Sequence, residues 1–239
     1  MPGLYKDEGV ALKTIKLGES DRIVTFFTRS NGKIRAVAKG VRKTKSRFGG
    51  RLEPFTRVQL LIYQGRNLDT ITSADIVTSF DEIRTDLSRL LSASAMVELV
   101  EKITPERERA PNIYSLLLAG LRSLSNGGGP SVVPAFMVKL LSISGYHPQL
   151  HACAGCGTGT ELIAFSPALG GAVCQNCVRE DSNAVLLSSD RVRMLGTLLA
   201  SDFRSGDDPA AADELTGALK SYAEYHLERP LRSLRYLHR

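Results

Sequence analysis

The sequence predicts an α+β protein of several domains, in which a five-stranded OB-fold β-barrel precedes a helical domain with an inserted zinc-ribbon-like module. Three observations lead to this prediction. Closely spaced strand patterns fill the first 80 residues, apolar residues recur at helical spacing from Ser79 onward, and all four cysteines occur as two CxxC pairs. The expected domains are residues 1–80, 81–150, 151–182 and 183–239.

The N-terminal part contains five short strand patterns separated by turn residues. They cover residues 9–16, 22–29, 33–39, 58–62 and 68–77. Ser30-Asn31-Gly32 is a strong hairpin signal between the second and third patterns. Five strands in so short a segment fit a small closed β-barrel, and an OB-fold is the leading candidate.

The C-terminal two thirds is patterned as helices. Ser79 and Glu82 form a capping-box pattern, and leucines and valines follow at helical spacing. Further helices are predicted at residues 112–125, 131–144, 189–203 and 209–227. The cysteine pairs interrupt this series once, which marks the insertion.

The charge is concentrated near the N-terminus. Ten cations and no acid lie between Asp21 and Glu53, in a chain whose net charge is +6. The third strand is predicted to be cationic on one side, and residues 40–50, called here the basic loop, follow it. The expected DNA-binding residues are Lys33, Arg35, Lys39, Arg42, Lys43, Lys45, Arg47, Phe48 and Arg51. Phe48 is included as a base-stacking residue, because its neighbours Arg47, Gly49 and Gly50 do not suit a core position.

A run of charge is often only a solvated surface. Here the absence of acids over the run, the placement of charges on one strand face and the glycines that bracket the basic loop favour nucleic acid. Since Lys and Arg contact phosphates without reading bases, binding is expected to tolerate any sequence. A membrane surface is a weaker candidate, because no basic amphipathic helix accompanies the charge. A second cluster, Arg229, Arg232, Arg235 and Arg239, is either a docked terminal turn or a second nucleic-acid contact.

The cysteines predict a structural metal site. Cys153 and Cys156 form one CxxC pair and Cys174 and Cys177 the other, with 17 residues between the pairs. Two such turns can direct four thiolates at one Zn²⁺, which leaves no position for a catalytic water. A redox dithiol and a disulfide-bonded loop are the alternatives. His147 and His151 lie nearby, but four thiols already complete the ligand set.

Other function classes find little support. The sequence lacks a Walker-type glycine loop, a His-Glu zinc signature and a motif of paired carboxylates, so neither an enzyme nor a small-molecule substrate is expected. A CxxC thiol oxidoreductase would require a thioredoxin-like context that the flanking sequence lacks. An alternative function that stays possible is a zinc-ribbon scaffold whose basic face binds an acidic protein. The chain start lacks a signal-peptide h-region and no apolar run could span a bilayer, so a cytoplasmic, nucleoid-associated protein is expected.

Several segments carry a family resemblance. They are Asp7 to Gly9, Leu17 to Val24, Gly32 to Arg42, Gly49 to Phe55 and the terminal Leu227 to Ser233. With the cysteine pairs, the sequence resembles the RecO family of bacterial DNA repair proteins over its whole length. The resemblance implies a recombination mediator that binds single- and double-stranded DNA and anneals complementary strands. It also implies joint action with RecR on DNA coated by single-stranded DNA-binding protein.

Overall fold

The computed structural model describes residues 3–44, 46, 48–159, 161–203 and 208–237. The chain forms two compact units. The first comprises Met1–Asp81 with Thr104–Ser115, and the second comprises Glu82–Ile103 with Leu116–Arg239. The four-part domain division expected from the sequence stays a prediction. The units differ from it in that Thr104–Ser115 groups with the N-terminal strands.

Five strands of the first unit close into a barrel. They are β1 (Leu4–Leu17), β2 (Asp21–Thr28), β3 (Gly32–Ala38), β4 (Arg57–Tyr63) and β5 (Asp69–Thr78). The order around the barrel is β1-β2-β3-β5-β4, and β4 pairs with β1. Neighbours are antiparallel except β3 and β5, which are parallel. This closed five-stranded arrangement is OB-like, as the sequence predicted.

The barrel core is built from side chains that alternate inward along the strands. Phe26 and Ile34 lie opposite each other on β2 and β3, and both are almost fully buried. The core cluster consists of Ala11, Val24, Phe26, Ile34, Ala36, Ala38, Phe48, Leu52, Val58, Leu60, Ile62, Ile71 and Ala74. The side chains between these core positions lie on the outer surface of the same strands.

A segment from beyond the barrel strands pairs with the first half of β3. β3 reaches β5 only through Ala36 and Val37. Ahead of that point, Lys33 forms a parallel bridge with Glu106, and the Arg107 N–H donates to the Lys33 carbonyl at 2.8 Å. The residues around Glu106 therefore satisfy backbone groups of β3 that β5 does not reach.

A buried carboxylate holds this segment to the barrel. The Asp69 side chain is fully buried and accepts hydrogen bonds from the Tyr5 hydroxyl at 2.6 Å, the Gly65 N–H at 3.1 Å and the Arg107 guanidinium at 2.9 Å. Burial and the neighbouring Asp69 carboxylate raise the pKa of Tyr5. A charge removed from water requires this full set of partners.

The second unit is helical. The helices of the chain are α1 (Asp81–Thr85), α2 (Leu87–Ile103), α3 (Pro111–Ser125), α4 (Val132–Ile143), α5 (Ser189–Ala200) and α6 (Pro209–Leu227). In α4, nine of the 12 residues are buried, from Val132 to Leu141. A helix that is apolar on every side belongs in a core, and α4 packs against α2, α5 and α6. No helix within the described ranges has the length and apolar character needed to cross a membrane.

The cysteine-containing insertion is a small sheet. Its strands are β6 (Leu162–Ser166), β7 (Gly171–Cys174) and β8 (Val185–Leu186), in the order β7-β6-β8. β6 and β7 form an antiparallel hairpin that leads into the second cysteine pair at Cys174. Asp181 fixes the hairpin turn by accepting from the Ser166 hydroxyl at 2.6 Å and the Ala168 N–H at 3.1 Å.

Candidate nucleic-acid interface and candidate metal centre

The outer surface of β1, β2 and β3 carries a row of cations. Lys13 on β1 pairs with Thr25 on β2, and Thr25 pairs with Arg35 on β3. Directly opposed residues of antiparallel strands share a face, and Ile34 and Ala36 on either side of Arg35 point into the core. Lys13 and Arg35 are both exposed and flank Thr25, which is itself buried.

An apolar row lies beside the cationic one. Ile15, Ile23 and Val37 are paired across the same three strands, two positions further along. Ile15 is 44 % exposed, and Ile23 and Val37 are half-buried. The surface therefore combines positive charge with apolar side chains that face solvent.

The start of the basic loop is fixed to the turn between β1 and β2. The Arg42 N–H donates to the Ser20 carbonyl at 3.0 Å, and the Arg42 guanidinium donates to the Glu19 carbonyl at 2.9 Å. Asp21 accepts from the Gly40 N–H at 2.8 Å. That hydrogen bond, with one from the Ser20 hydroxyl, holds the pKa of Asp21 below its ordinary value. Arg42 is thus held at the barrel end of the loop while remaining exposed.

The surface formed by Lys13, Arg35, Lys39 and Arg42 is called here the cationic face. Lys39 directly follows the last residue of β3 and is exposed, as is Lys43 in the loop. Arg51 is exposed in a short 3₁₀ turn, Gly49–Leu52. Lys45 and Arg47 lie outside the described residues. The structure therefore brings together Arg35, Lys39 and Arg42 from the predicted set.

Lys33 is a correction to the sequence prediction. The strand alternation put Lys33 on the cationic side, but its side chain is buried and its ammonium donates to the Thr104 carbonyl at 2.5 Å. The segment that bridges to β3 at Glu106 covers this position. Lys33 therefore helps to attach that segment to the barrel and does not present its charge to DNA.

Phe48 is the second correction. Instead of standing exposed for base stacking, its side chain is 1 % exposed and belongs to the barrel core. Gly49 adopts a φ of +50°, and the Arg51 N–H closes the turn on the Phe48 carbonyl at 3.0 Å. The flanking glycines make a tight turn that directs Phe48 and Leu52 inward.

Lys13 is the residue that sequence reasoning missed. It lies ahead of the acid-free run, so a count of charge between Asp21 and Glu53 does not include it. Its place beside Arg35 follows from the pairing of β1 with β2. A register worked out from the hairpin would have found it, because opposed residues fall on one face.

The four cysteines form a cluster that fits a tetrahedral metal site. All four Sγ atoms lie within 4.8 Å of one another, and Cys156 and Cys174 approach to 3.7 Å. Zinc–sulfur bonds of about 2.3 Å in a tetrahedron give sulfur–sulfur distances of about 3.8 Å. The four cysteines could therefore hold a metal ion, and their sulfur spacing is compatible with Zn²⁺.

Backbone groups around the cluster favour the thiolate form of Cys153. The Cys174 N–H donates to the Cys153 sulfur at 3.3 Å. Burial raises the pKa of the Cys153 thiol, but N–H groups of Cys156, Cys174 and Gly155 directed at its sulfur have the larger combined effect. The pKa of Cys153 therefore lies below its ordinary value. A Cβ at position 155 would lie 2.9 Å from the Cys177 sulfur, so only glycine allows the two turns to approach this closely.

Comparison with known proteins places this fold and these sites in a family. A family model described as the N terminal of recombination protein O matches residues 1–80, and the model of its C terminal matches residues 84–235. The chain belongs to the RecO family. The family models meet between the barrel and the helices, and the cysteine cluster lies within the C-terminal match.

Curated relatives agree over the whole chain. A protein named DNA repair protein RecO from Frankia casuarinae is 44% identical over 242 residues and covers 99% of both chains. Proteins of the same name from a Nocardioides species and from Streptomyces avermitilis are 42% and 40% identical, each over at least 98% of both chains. The resemblance drawn from the sequence segments is thereby confirmed.

Proposed function

We propose that this chain is a non-enzymatic mediator of DNA repair and homologous recombination. It binds single- and double-stranded DNA without sequence specificity, anneals complementary strands and helps RecR to load recombinase on DNA coated by single-stranded DNA-binding protein. The observation that carries the proposal is the cationic face on the outer strands of an OB-like barrel, in a chain of the RecO family.

The chemistry of annealing matches what this face offers. Pairing two strands forms no covalent bond, but it requires two polyanions to lie side by side. Lysine and arginine side chains that replace condensed counterions reduce this repulsion, and they do so without selecting bases. The apolar row of Ile15, Ile23 and Val37 adds a surface on which sugars and base faces can pack.

The cysteine cluster is proposed to hold one structural Zn²⁺ per chain. Four sulfurs brought within 4.8 Å favour a metal over a two-thiol redox centre, which would need only one pair. The ion, when bound, would cross-link the two cysteine turns of the insertion. Because four thiolates fill a tetrahedral site, its contribution is to folding.

An annealing assay tests the proposal. The R35A/K39A/R42A protein, called here the face variant, removes three exposed cations from the cationic face. The control variant, K6A/R122A/R193A, removes three exposed cations that lie outside that face. We expect the face variant to anneal complementary oligonucleotides much more slowly than wild type, and the control variant to match wild type. Equal annealing by all three proteins would refute the assignment.

A further inference from the structure

The C-terminal turn of the second unit presents arginines from a fixed base. Leu231 and Leu234 are almost fully buried, and Ser233–Tyr236 forms a 3₁₀ turn that packs on α2. Arg229, Arg232 and Arg235, spaced by three residues, are all exposed. Residues three apart in a 3₁₀ turn lie above one another, so Arg232 and Arg235 share one side. This set of three arginines is called here the arginine turn.

Two glutamates attach this turn to the helices through its backbone. Glu98 on α2 accepts from the Arg232 N–H at 3.1 Å and from the Ser233 N–H at 2.6 Å. Glu224 on α6 accepts from the Leu231 N–H at 2.6 Å. Burial raises the pKa of Glu98, but these N–H donors and Lys102 lower it below its ordinary value, so Glu98 stays ionised at neutral pH.

The arrangement leaves the guanidinium groups facing solvent. Lys102 pairs with Glu98 at 3.0 Å and also donates to the Pro230 carbonyl, so Glu98 and Glu224 bind backbone or lysine groups. Among the described residues, no ion pair joins an arginine of the turn to a carboxylate. The sequence contains no acid after Glu228.

Exposed guanidiniums on a backbone that is held in place suit the phosphates of a nucleic acid. Guanidinium binds phosphate oxygens through paired hydrogen bonds, and a backbone that is already ordered loses little entropy on binding. Tyr236, next to Arg235, is 54 % exposed and offers a ring on which a base can stack. A row built only for solubility would not need its backbone fixed by two carboxylates.

We infer that the arginine turn is a second nucleic-acid backbone site, separate from the cationic face, which takes a second strand. The inference rests on the proposed function, since it assigns a second contact to the same annealing activity. With a site in each unit, one chain holds two polyanions at once. The arginine turn is therefore expected to matter for capture of the second strand and to be dispensable for binding the first.

The experiment measures capture of a second strand directly. Wild-type protein is bound to an immobilised oligothymidylate, and a second, fluorescent oligothymidylate is added, so that base pairing cannot contribute. The R229A/R232A/R235A protein is compared with R229K/R232K/R235K, which keeps the charge. At about 0.1 M salt we expect the alanine protein to bind the first strand normally. Its affinity for the second strand should fall about 100-fold, because each of the three lost contacts removes roughly 0.7 of a log unit. The lysine protein should retain most of the capture.

Three results would overturn the inference. The first is unchanged capture by the alanine protein, which would place the second strand elsewhere, including on the barrel of another copy. The second is loss of capture in the lysine protein equal to that in the alanine protein. The third is binding of a polyglutamate peptide that the alanine substitutions abolish while capture of DNA persists, which would make this a surface for an acidic protein.

The face variant separates this inference from the proposed function. If the face variant that also carries R229A/R232A/R235A still binds a strand as wild type does, the proposed function of the barrel fails. If the face variant loses the first strand and the alanine protein of the turn still captures the second, only the present inference fails.

Discussion

Salt dependence gives a quantitative test of the cationic face. Each phosphate contact to single-stranded DNA contributes about −0.7 to the slope of log K against log salt. The face variant removes three exposed cations, Arg35, Lys39 and Arg42, so the slope should become shallower by about 2. At about 0.1 M salt, each lost contact lowers the affinity by about 0.7 of a log unit, so the loss of three contacts should lower it about 100-fold.

Fluorescence anisotropy with a labelled oligonucleotide, between about 50 and 200 mM salt, measures both quantities. The control variant K6A/R122A/R193A carries the same change in net charge. If charge acts only as a diffuse field over the whole protein, the two variants will lose slope equally. If the face variant keeps the wild-type slope, these side chains do not contact phosphates and the reasoning fails.

Three further predictions concern stability and metal. Phe48→Ala should lower the free energy of unfolding of the barrel by about 3–5 kcal/mol, because the ring is buried in its core, and denaturant unfolding measures this. Burial raises the pKa of Asp181, but hydrogen bonds from Ser166, Ala168 and Asn183 outweigh this effect and bring the pKa below its ordinary value. The stabilisation by Asp181 is therefore complete above about pH 4 and is lost as pH falls through the lowered pKa. Replacing Asp181 by asparagine should make the melting temperature depend less on pH in that range. Purified protein should contain one zinc per chain, and chelation should lower its melting temperature, as calorimetry and metal analysis would show.

Each of these predictions has an opposing result. A Phe48→Ala protein of wild-type stability with weakened DNA binding would restore the stacking role first assigned to Phe48. A pH profile that is the same with Asp181 and with its asparagine replacement would mean that other groups set the acid sensitivity. If the melting temperature is unchanged both by chelation and by replacement of the cysteines with serine, the metal has no structural role.

Local patterns were enough to predict most of the architecture. Alternating apolar residues indicate the strands of the barrel, and apolar residues at helical spacing indicate the helices. Each pattern reflects the side of the element that packs against the core. The cysteine pairs predicted their cluster, since each CxxC turn fixes two sulfurs within four residues. Arg35 and Lys39 were placed correctly on the outer surface because the residues between them, Ala36 and Ala38, fill the core.

The errors arose where distant parts of the chain decide burial. Lys33 is covered by a segment 71 residues away, and nothing in the strand itself signals that contact. Phe48 lies in a loop whose composition reads as flexible, yet its glycines allow the turn that places the ring in the core. Lys13 needed the register of three strands. All three cases depend on tertiary pairing, which the local pattern does not contain.

Lysine footprinting locates the DNA on the barrel, because one barrel carries both the test residues and their control. Lys13 and Lys39 lie on the cationic face, whereas Lys6 is exposed on β1 where it pairs with β4. Acetylation of the protein with and without single-stranded DNA, followed by mass spectrometry, gives the protection of each. We expect DNA to protect Lys13 and Lys39 and to leave Lys6 reactive. Protection of Lys6 with Lys13 and Lys39 unprotected would contradict it.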